Sequence, residues 1–524
     1  MRKTATRSEA LDKLLAALQS GVCDEAAARQ LYTLGPDAVI LALLAAARRI
    51  SEQDARLALL EARSSVAGVS PATPSGMIPV YAKPNAATTR RRRRKRPGAR
   101  DGHRGHRRPT PTRIDQRQTH RLKVCPCCGG PLQRCRRTRT RLIEDLPEDL
   151  HSVVTEHTID RDYCPACKKH VEPVVPDALP NATFGHRIIS FTSWCHYGLG
   201  VTLDQLVDIL QFHLQTKLSA GGLVAAWQRL AEILTPWYEQ IAEQAKASAY
   251  LHADETGWRV QGRTCWLWCF TNHHNCYYLI DRCRGSPVLQ RFFGDAFDGI
   301  LLHDFWTAYE SIDVADRQYC LVHLLRELEK VDQHNDSAEW QAFAKTLRRL
   351  IHDGIRLRKR PDFSPDKYQS RILRLGRRLD ALIAAGVDGP RAPGSTTRAP
   401  GSTTARAAAR CPLAAEVFAD ADVRRLCKRL RRTGDHIFTF LDYPDIAFEN
   451  NFAERQIRPA VILRKNSQSN RSDRGAVTQA ALMSIYRTLR LRGHDPLQTI
   501  AAALRTQLQT GQLPPLPAAI VADG

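Results

Sequence analysis

The sequence has no apolar run that approaches the roughly 20 residues of a membrane-spanning helix. Its first residues, MRKTATRSEALDKLLAAL, lack the long apolar core and the small-residue cleavage site of a secretory signal. Without export, its 15 cysteines are not expected to form a disulfide framework. These absences argue against a membrane protein and a secreted disulfide-rich protein, and they predict a cytoplasmic location.

Acidic residues are almost missing from one stretch of the chain. Between Arg90 and Arg141 there are 20 Lys and Arg residues but only two acids, Asp101 and Asp115, a local charge of +18. Such a block condenses on a polyanion and releases counterions, so nucleic acid is the predicted partner. A disordered basic tail is the alternative, and the two interpretations are compatible. The densest part is an unbroken run with no apolar face, unlike a membrane-surface segment: Arg90, Arg91, Arg92, Arg93, Arg94, Lys95 and Arg96.

Some of the cysteines have the spacing of metal ligands. They form two CxxC pairs, Cys125 with Cys128 and Cys164 with Cys167. Two such pairs complete a tetrahedral site, so one structural Zn²⁺ per chain is predicted. The alternatives are a redox role for the pairs and a shifted ligand set in which Cys127 or Cys135 replaces Cys128.

Composition and periodicity divide the chain into six predicted segments. The first is a helical region at 1–66, suited to oligomerisation, DNA binding or packing in the monomer, and it is followed by a basic flexible linker at 67–122. A zinc-binding domain at 123–178 and a helical region resembling DNA-binding modules at 179–247 come next. The last two are a catalytic domain at 248–480, with a helical insertion at about 326–435, and a C-terminal helical region and tail at 481–524. Within the fourth segment, Thr202 and Gln205 predict a capping box at a helix start. In the insertion, tandem copies of RAPGSTT at 391–397 and 398–404 predict a flexible loop.

Four short aromatic and β-branched runs predict strands in the catalytic segment: YLHA, TCWLWCFT, CYYLI and GILLH. Helices are predicted in SPVLQRFFGDAF, between the third and fourth runs, and after the fourth run. Strands followed by alternation with helices indicate an α/β fold with a mixed sheet. After about residue 435, HIFTFL has the pattern of a strand and precedes a helical stretch.

Three acidic residues occupy positions from which a metal site can be assembled. Asp254 follows YLHA, Asp304 ends the fourth strand-like run, and Glu454 lies on the helical stretch after HIFTFL. Carboxylates that clamp two metal ions are the means by which proteins break and rejoin phosphodiester bonds. The alternative for each acid taken singly is a turn cap, which is a common role for acids at strand ends.

Orientation separates two of these acids from their acidic neighbours. Glu255 points to the opposite face from Asp254 if the strand continues. On the predicted helix, Asn450, Asn451, Glu454 and Arg458 share one face, whereas Glu449 points elsewhere. Basic residues clustered around Glu454 are predicted to grip DNA phosphates: Arg455, Arg458, Arg464, Lys465, Arg471 and Arg474.

Several of these segments resemble the insertion sequence 66 family of DDE transposases. The resemblance is carried by HADETGWRV, DRCRGSPVLQRFFG, FDGILLHDFWTAY, CLVHLLREL and ENNFAERQIRPAVILRKNSQSNRSDRGA, and upstream by PSGMIPVYAKPN, GHRGHRRP and CPCCGG. It extends over about residues 70–510. It implies a ribonuclease-H-like core interrupted by a helical insertion, with Asp254, Asp304 and Glu454 as the catalytic triad. It departs from the family at Glu449, where other members usually have Asp.

The function implied by this resemblance is that of an insertion-sequence transposase. It would hydrolyse phosphodiester bonds at the element ends with two Mg²⁺ ions, or with Mn²⁺ in their place, and join the freed 3′-hydroxyl to target DNA. The implied partners are the terminal repeats, the target DNA, further copies of the chain and small accessory proteins of the same element, at the bacterial nucleoid. The alternatives are a stand-alone nuclease of the same fold and an inactive DNA-binding repressor derived from a transposase.

Overall fold

The computed structural model describes residues 25–65, 110–133, 140–147, 149–360, 363–384 and 418–520. Four predicted features lie wholly or partly outside these ranges: the helical region at 1–66, the basic run Arg90–Arg96, Cys135 and the RAPGSTT copies. The chain forms two compact units. One comprises Met1–Val80 and Leu289–Asn450, and the other comprises Tyr81–Val288 and Asn451–Gly524. No helix in the described ranges is both long enough and apolar enough to cross a membrane.

The described strands, in chain order, are β1 Asp162–Cys164, β2 Lys169–Val171, β3 Tyr250–Val260, β4 Arg263–Thr271, β5 Cys276–Asp281, β6 Ala296–His303 and β7 Asp313–Tyr319. The described α-helices are α1 Glu25–Thr33, α2 Pro36–Ser65, α3 His186–Ser193, α4 Leu203–Asp208, α5 Ala220–Ile233, α6 Thr235–Lys246, α7 Ser286–Phe293, α8 Leu321–Val331, α9 Ala338–Arg358, α10 Pro365–Ala384, α11 Ala421–Thr433, α12 Asn451–Ser467, α13 Asp473–Leu491 and α14 Pro496–Thr510.

The second unit is built on an antiparallel meander of β3, β4 and β5. Asp254 pairs with Cys269 on β4, and Cys269 pairs in turn with Tyr278 on β5. Because β3 and β4 are rich in large apolar side chains, both contribute to a core that contains Trp258 and Trp268. The four predicted strand runs all lie in strands, and together with the parallel pair β6–β7 and the helices they confirm the predicted mixed α/β class.

Helix α13 closes the outer edge of the meander with hydroxyl groups. The backbone N–H of Cys276 donates to Thr488 Oγ1 at 3.0 Å, and that of Tyr278 donates to Ser484 Oγ at 2.8 Å. Thr488 Oγ1 also donates to the carbonyl of Cys276. The N–H groups of Cys276 and Tyr278, which face away from β4, are therefore bonded within the unit.

The helices that precede the meander confirm a predicted local signal. Thr202 and Gln205 form a reciprocal capping box at the start of α4, with side-chain to backbone distances of 3.1 and 3.3 Å. Trp227 on α5 is buried and donates from Nε1 to Thr192 Oγ1 at 3.1 Å. Between α3 and α4 the chain widens into a π-helical turn, Trp194–Leu199. Gly198 is required there, because a Cβ at that position would lie 2.2 Å from the Trp194 ring.

The first unit contains the parallel pair β6–β7 and the helices α8 to α11. The helix expected after the fourth run is α8, although a short 3₁₀ turn, Thr307–Ser311, and the strand β7 come before it. The sequence of β7, DVADRQY, is polar, but its polar groups are satisfied within the unit. Arg317 donates to the carbonyl of Tyr309 at 2.5 Å, and Asp316 pairs with His436 at 2.8 Å.

The predicted strand at HIFTFL, His436–Leu441, is wrong. The chain here forms two 3₁₀ turns, Gly434–His436 and Thr439–Leu441. The buried side chain of Gln318 accounts for the difference. Its amide donates to the carbonyl of Ile437 at 3.2 Å and accepts from the N–H of Phe440 at 2.8 Å. One side chain thus supplies the bonds that a neighbouring strand would supply in a sheet.

Candidate active site

Asp254 lies within strand β3 and does not follow its end. The predicted strand YLHA continues to Val260, so Asp254 is the fifth residue of an eleven-residue strand. Its side chain is half-buried, and Oδ1 accepts a hydrogen bond from the N–H of Glu255 at 2.9 Å. His252 stands two positions earlier and therefore on the same face of the strand. The backbone bond fixes the orientation of one carboxylate oxygen.

Glu255 has a different environment, as the alternation of the strand requires. Its carboxylate is buried and accepts from Nε and Nη2 of Arg284 at 3.0 and 2.7 Å. The Arg284 guanidinium also lies 4.4 Å from the centre of the Trp266 ring. Both donors reach the same oxygen, Oε1, and this ion pair gives Glu255 a structural partner within the unit. The expected separation of Asp254 and Glu255 onto opposite faces follows from the continuous strand.

Asp304 immediately follows β6 and is 8 % exposed. Its Oδ1 accepts from the N–H of Trp306 at 2.9 Å, so the carboxylate shapes the turn that leaves the strand. The preceding His303 is fully buried and stacks on Tyr309 with ring centres 4.7 Å apart. Desolvation lowers the pKa of His303 to about 3, so the ring is neutral and packs as part of the core.

Cys320, at the junction of β7 and α8, connects two parts of the first unit that matter for the predicted site. Its N–H donates to the carbonyl of His303 at 2.9 Å, next to Asp304. Its Sγ accepts from the N–H of Asn450 at 3.2 Å, and the N–H of Leu321 donates to the carbonyl of Phe448 at 2.9 Å. Cys320 therefore fixes the segment that leads into Glu454 beside the strand that ends at Asp304. In the sequence, this position is marked only by the CxxH spacing of Cys320 and His323.

Glu454 lies in the first turn of α12, which begins at Asn451. The expectation that Asn450 shares a face of this helix is therefore wrong, because the bond to Cys320 holds Asn450 outside the first turn. Helix α12 packs against β3. Phe452, two residues before Glu454, contacts His252, two residues before Asp254, with ring centres 5.4 Å apart. Within the second unit, β3 and α12 thus place the neighbours of Asp254 and Glu454 in contact.

The basic residues predicted to grip DNA fall into different environments. Arg464 is half-buried, and it donates to Thr256 Oγ1 at 3.3 Å and to the carbonyl of Gly257, which ties α12 to β3. Desolvation lowers its pKa. Arg474 forms an exposed ion pair with Glu232 at 2.6 Å. The remaining four side chains are exposed: Arg455, Arg458, Lys465 and Arg471.

Each CxxC pair forms a tight turn in the second unit. In the first turn, the N–H of Gly129 donates to the carbonyl of Cys125 at 2.8 Å, and Gly129 has a φ of 71°. The second turn starts at Cys164, the last residue of β1, and joins β1 to β2 in an antiparallel hairpin. Backbone N–H groups of Cys127 and Cys128 lower the pKa of the Cys125 thiol, and that of Cys167 lowers the pKa of the Cys164 thiol. Both turns therefore favour the thiolate form that binds metal.

In the part of the chain that the structure describes, no three His, Cys, Asp or Glu side chains form a ready-made metal cluster. The donor types nevertheless fit their metals: thiolates in paired turns suit zinc, and carboxylates suit magnesium.

Comparison with known proteins identifies the family. Residues 181–478 match the Transposase IS66 family, a span that contains Asp254, Asp304 and Glu454. Two proteins of Sinorhizobium fredii, the uncharacterized proteins y4jD and y4hP, are each 22 % identical to this chain. The y4jD alignment covers 73 % of this chain and 74 % of y4jD. For y4hP the shares are 73 % and 70 %. The family match extends over more than half of the sequence, and the chain therefore belongs to the IS66 family of transposases.

Proposed function

We propose that the protein is the transposase of an insertion sequence, which cuts phosphodiester bonds at the element ends and joins the freed ends to target DNA. The family match over residues 181–478 is the observation that carries this proposal. The contact between Phe452 and His252 supports it, because this contact brings the sequence neighbours of Glu454 and Asp254 together. The proposed partners are the terminal repeats, target DNA, further copies of the chain and accessory proteins of the element.

A ribonuclease-H-like core is part of this proposal. Three antiparallel strands, a helix and then a parallel pair follow one another along the chain as β3, β4, β5, α7, β6 and β7. The helices α9, α10 and α11 then lie between Asp304 and Glu454, at the place where the resemblance puts an insertion.

Asp254, Asp304 and Glu454 would hold the catalytic ions in this mechanism. Two Mg²⁺ ions, or Mn²⁺ in their place, would activate the attacking oxygen and stabilise the leaving 3′ oxygen. The protein's own contribution is orientation, since backbone N–H groups fix one oxygen of Asp254 and one of Asp304. The exposed Arg455 and Arg458, one and four residues after Glu454, would hold the phosphates of the cut strand in place.

A single assay separates transposition from simpler activities. The purified chain is incubated with Mg²⁺ and a DNA fragment that carries the repeats flanking the gene, and the products are resolved by size. Joined products support a transposase. Cutting without joining would indicate a nuclease, and binding without cutting would indicate a repressor.

A zinc-ribbon-like module is proposed for the two CxxC turns, with Cys125, Cys128, Cys164 and Cys167 as ligands of one Zn²⁺. Elemental analysis of the purified chain is expected to give about one zinc per chain. Cys164→Ser should lower this content because it removes a thiolate. The matched control is Cys195→Ala, since Cys195 is buried and desolvation raises its thiol pKa to about 11. Zinc content near zero in the unmodified chain, with chelators leaving its stability unchanged, would remove the site.

The environments of the α12 arginines lead to a prediction about salt dependence. Arg458→Ala should make the plot of log affinity against log salt shallower by about 0.9, the value for one lost phosphate contact on duplex DNA. Its melting temperature should stay within the small range that is usual for exposed positions. Fluorescence anisotropy at several salt concentrations measures the slope.

Arg464→Ala is the matched control on the same helix. Because Arg464 bonds Thr256 and Gly257, its loss should lower the melting temperature more than the loss of Arg458 does. Equal slopes for Arg458→Ala and the unmodified chain would show that Arg458 contacts no phosphate.

A further inference from the structure

The hairpin that joins β3 to β4 projects beyond the rest of its meander. Pairing of β3 with β4 continues to Val260 and Arg263, whereas pairing of β4 with β5 stops at Trp266. The tip, residues 259–264, is thus a two-stranded ribbon without β5 at its side, and at its other edge the buried Val260 of β3 forms a bridge with Asn470. Its turn residues Gln261 and Gly262 both have positive φ, 52° and 73°. Such a two-residue turn keeps the ribbon narrow and follows its natural twist.

The ribbon is held rigidly at one edge by Asn470. The N–H of Asn470 donates to the carbonyl of Arg259 at 3.2 Å, and its carbonyl accepts from the N–H of Gln261 at 3.0 Å. Its side-chain oxygen accepts from Trp258 Nε1 at 2.7 Å, and its amide donates to Gln479 on α13 at 3.0 Å. The tip is therefore fixed to the second unit, and a ligand that binds there meets a preformed surface.

The charge of the ribbon has one sign. Arg259 and Arg263 are exposed, as is Arg471, the residue after Asn470. No acidic residue occurs between Gly257 and Asn272. Asp281 and Asp473 act electrostatically on Cys265 at the base of the ribbon, where the neighbouring Arg282 opposes them. Arg259 is directly opposite Thr264, and Val260 is directly opposite Arg263. Directly opposed residues share a face of the ribbon, and successive residues of a strand alternate between faces. Arg259 and Arg263 therefore lie on opposite faces.

We infer that this ribbon enters the major groove of duplex DNA, with Arg259 and Arg263 on the two phosphate walls. The major groove is about 12 Å wide and admits a two-stranded β-ribbon. Guanidinium groups on opposite faces suit a groove that has a phosphate strand on each side, and the exposed Gln261 at the tip faces the base edges. The inference rests on the proposed function because DNA is the partner, and it adds Arg259 and Arg263 to the basic residues predicted to contact DNA around Glu454.

The test compares the full chain with the double variant Arg259→Ala/Arg263→Ala on duplex DNA of arbitrary sequence. Two lost phosphate contacts should make the salt slope shallower by about 1.8. The control, Arg187→Ala/Arg505→Ala, removes the same charge from exposed positions on α3 and α14 and should retain the slope of the unmodified chain. Both variants change exposed side chains, and thermal melting verifies that they remain folded.

A second duplex, with glucosylated hydroxymethylcytosine that fills the major groove, tests the placement. On this duplex the affinity advantage of the unmodified chain over the double variant should disappear. An advantage that persists would overturn the groove placement, and a double variant with unchanged slope would overturn the ribbon contact. If the unmodified chain binds no DNA, the proposed function itself fails, so the two failures are distinguishable.

Discussion

Asp254→Asn is expected to reduce DNA cleavage and strand joining by about a thousandfold or more. The substitution keeps the size of the side chain but removes the negative charge that the proposed metal ions require. Loss of several kcal/mol of charge stabilisation in the transition state corresponds to a loss of this order. Product formation from a fragment bearing the terminal repeats, measured with Mg²⁺ and with Mn²⁺, gives the effect.

Folding and DNA affinity should be retained in this variant. The asparagine side chain still offers an oxygen at the position where Asp254 Oδ1 accepts from the N–H of Glu255. Thermal melting and anisotropy on duplex DNA are therefore expected to match those of the unmodified chain. Cleavage that persists in a folded Asp254→Asn protein would exclude Asp254 from the reaction, whatever the roles of Asp304 and Glu454.

Glu327→Gln is expected to lower the stability of the first unit by about 3–5 kcal/mol, the usual cost of removing one partner from a buried ion pair. Glu327 on α8 is buried and receives Arg425 and Arg429 of α11, each at 2.5 Å. Arg429 is only 12 % exposed, and desolvation lowers its pKa. Without the carboxylate, Arg429 faces a neutral amide, whereas Arg425 keeps its ion pair with Asp422 at 3.2 Å. The melting temperature should fall on the order of 10 °C, measured by calorimetry.

The double variant Glu327→Met/Arg429→Met is the control for this interpretation. Replacing both charges by apolar side chains removes the uncompensated cation, so it should be more stable than Glu327→Gln. A double variant that is less stable than Glu327→Gln would show that packing around Glu327, and not charge, dominates. Arg429 also lies 4.4 Å from the centre of the Phe305 ring, directly after Asp304, so catalytic activity should be followed in parallel.

Strands with strong apolar patterns could be predicted from the sequence, and those with internal polar partners could not. YLHA and TCWLWCFT carry the aromatic and β-branched residues typical of buried strands, and both lie in strands. In β7, Asp316 and Arg317 mask the pattern, because their partners are His436, far along the chain, and backbone carbonyls of the preceding turn. HIFTFL has a strand's composition, but the side chain of Gln318 satisfies its backbone.

The same limit applies to the candidate site. Alternation along β3 correctly separated Asp254 from Glu255, since it follows from strand geometry alone. The sequence pattern could not show that Arg284 neutralises Glu255, that Cys320 binds Asn450, or that Arg464 bonds β3, because each contact joins residues from separate elements.

The hydroxyls of Ser484 and Thr488 have a consequence for assembly. An unprotected edge strand is a template onto which another polypeptide can add by β-augmentation, with fibrous aggregates as the hazard. On β5 the N–H groups of Cys276 and Tyr278 already have intramolecular acceptors. Copies of this chain at high local concentration therefore cannot recruit those two donors for intermolecular strand pairing.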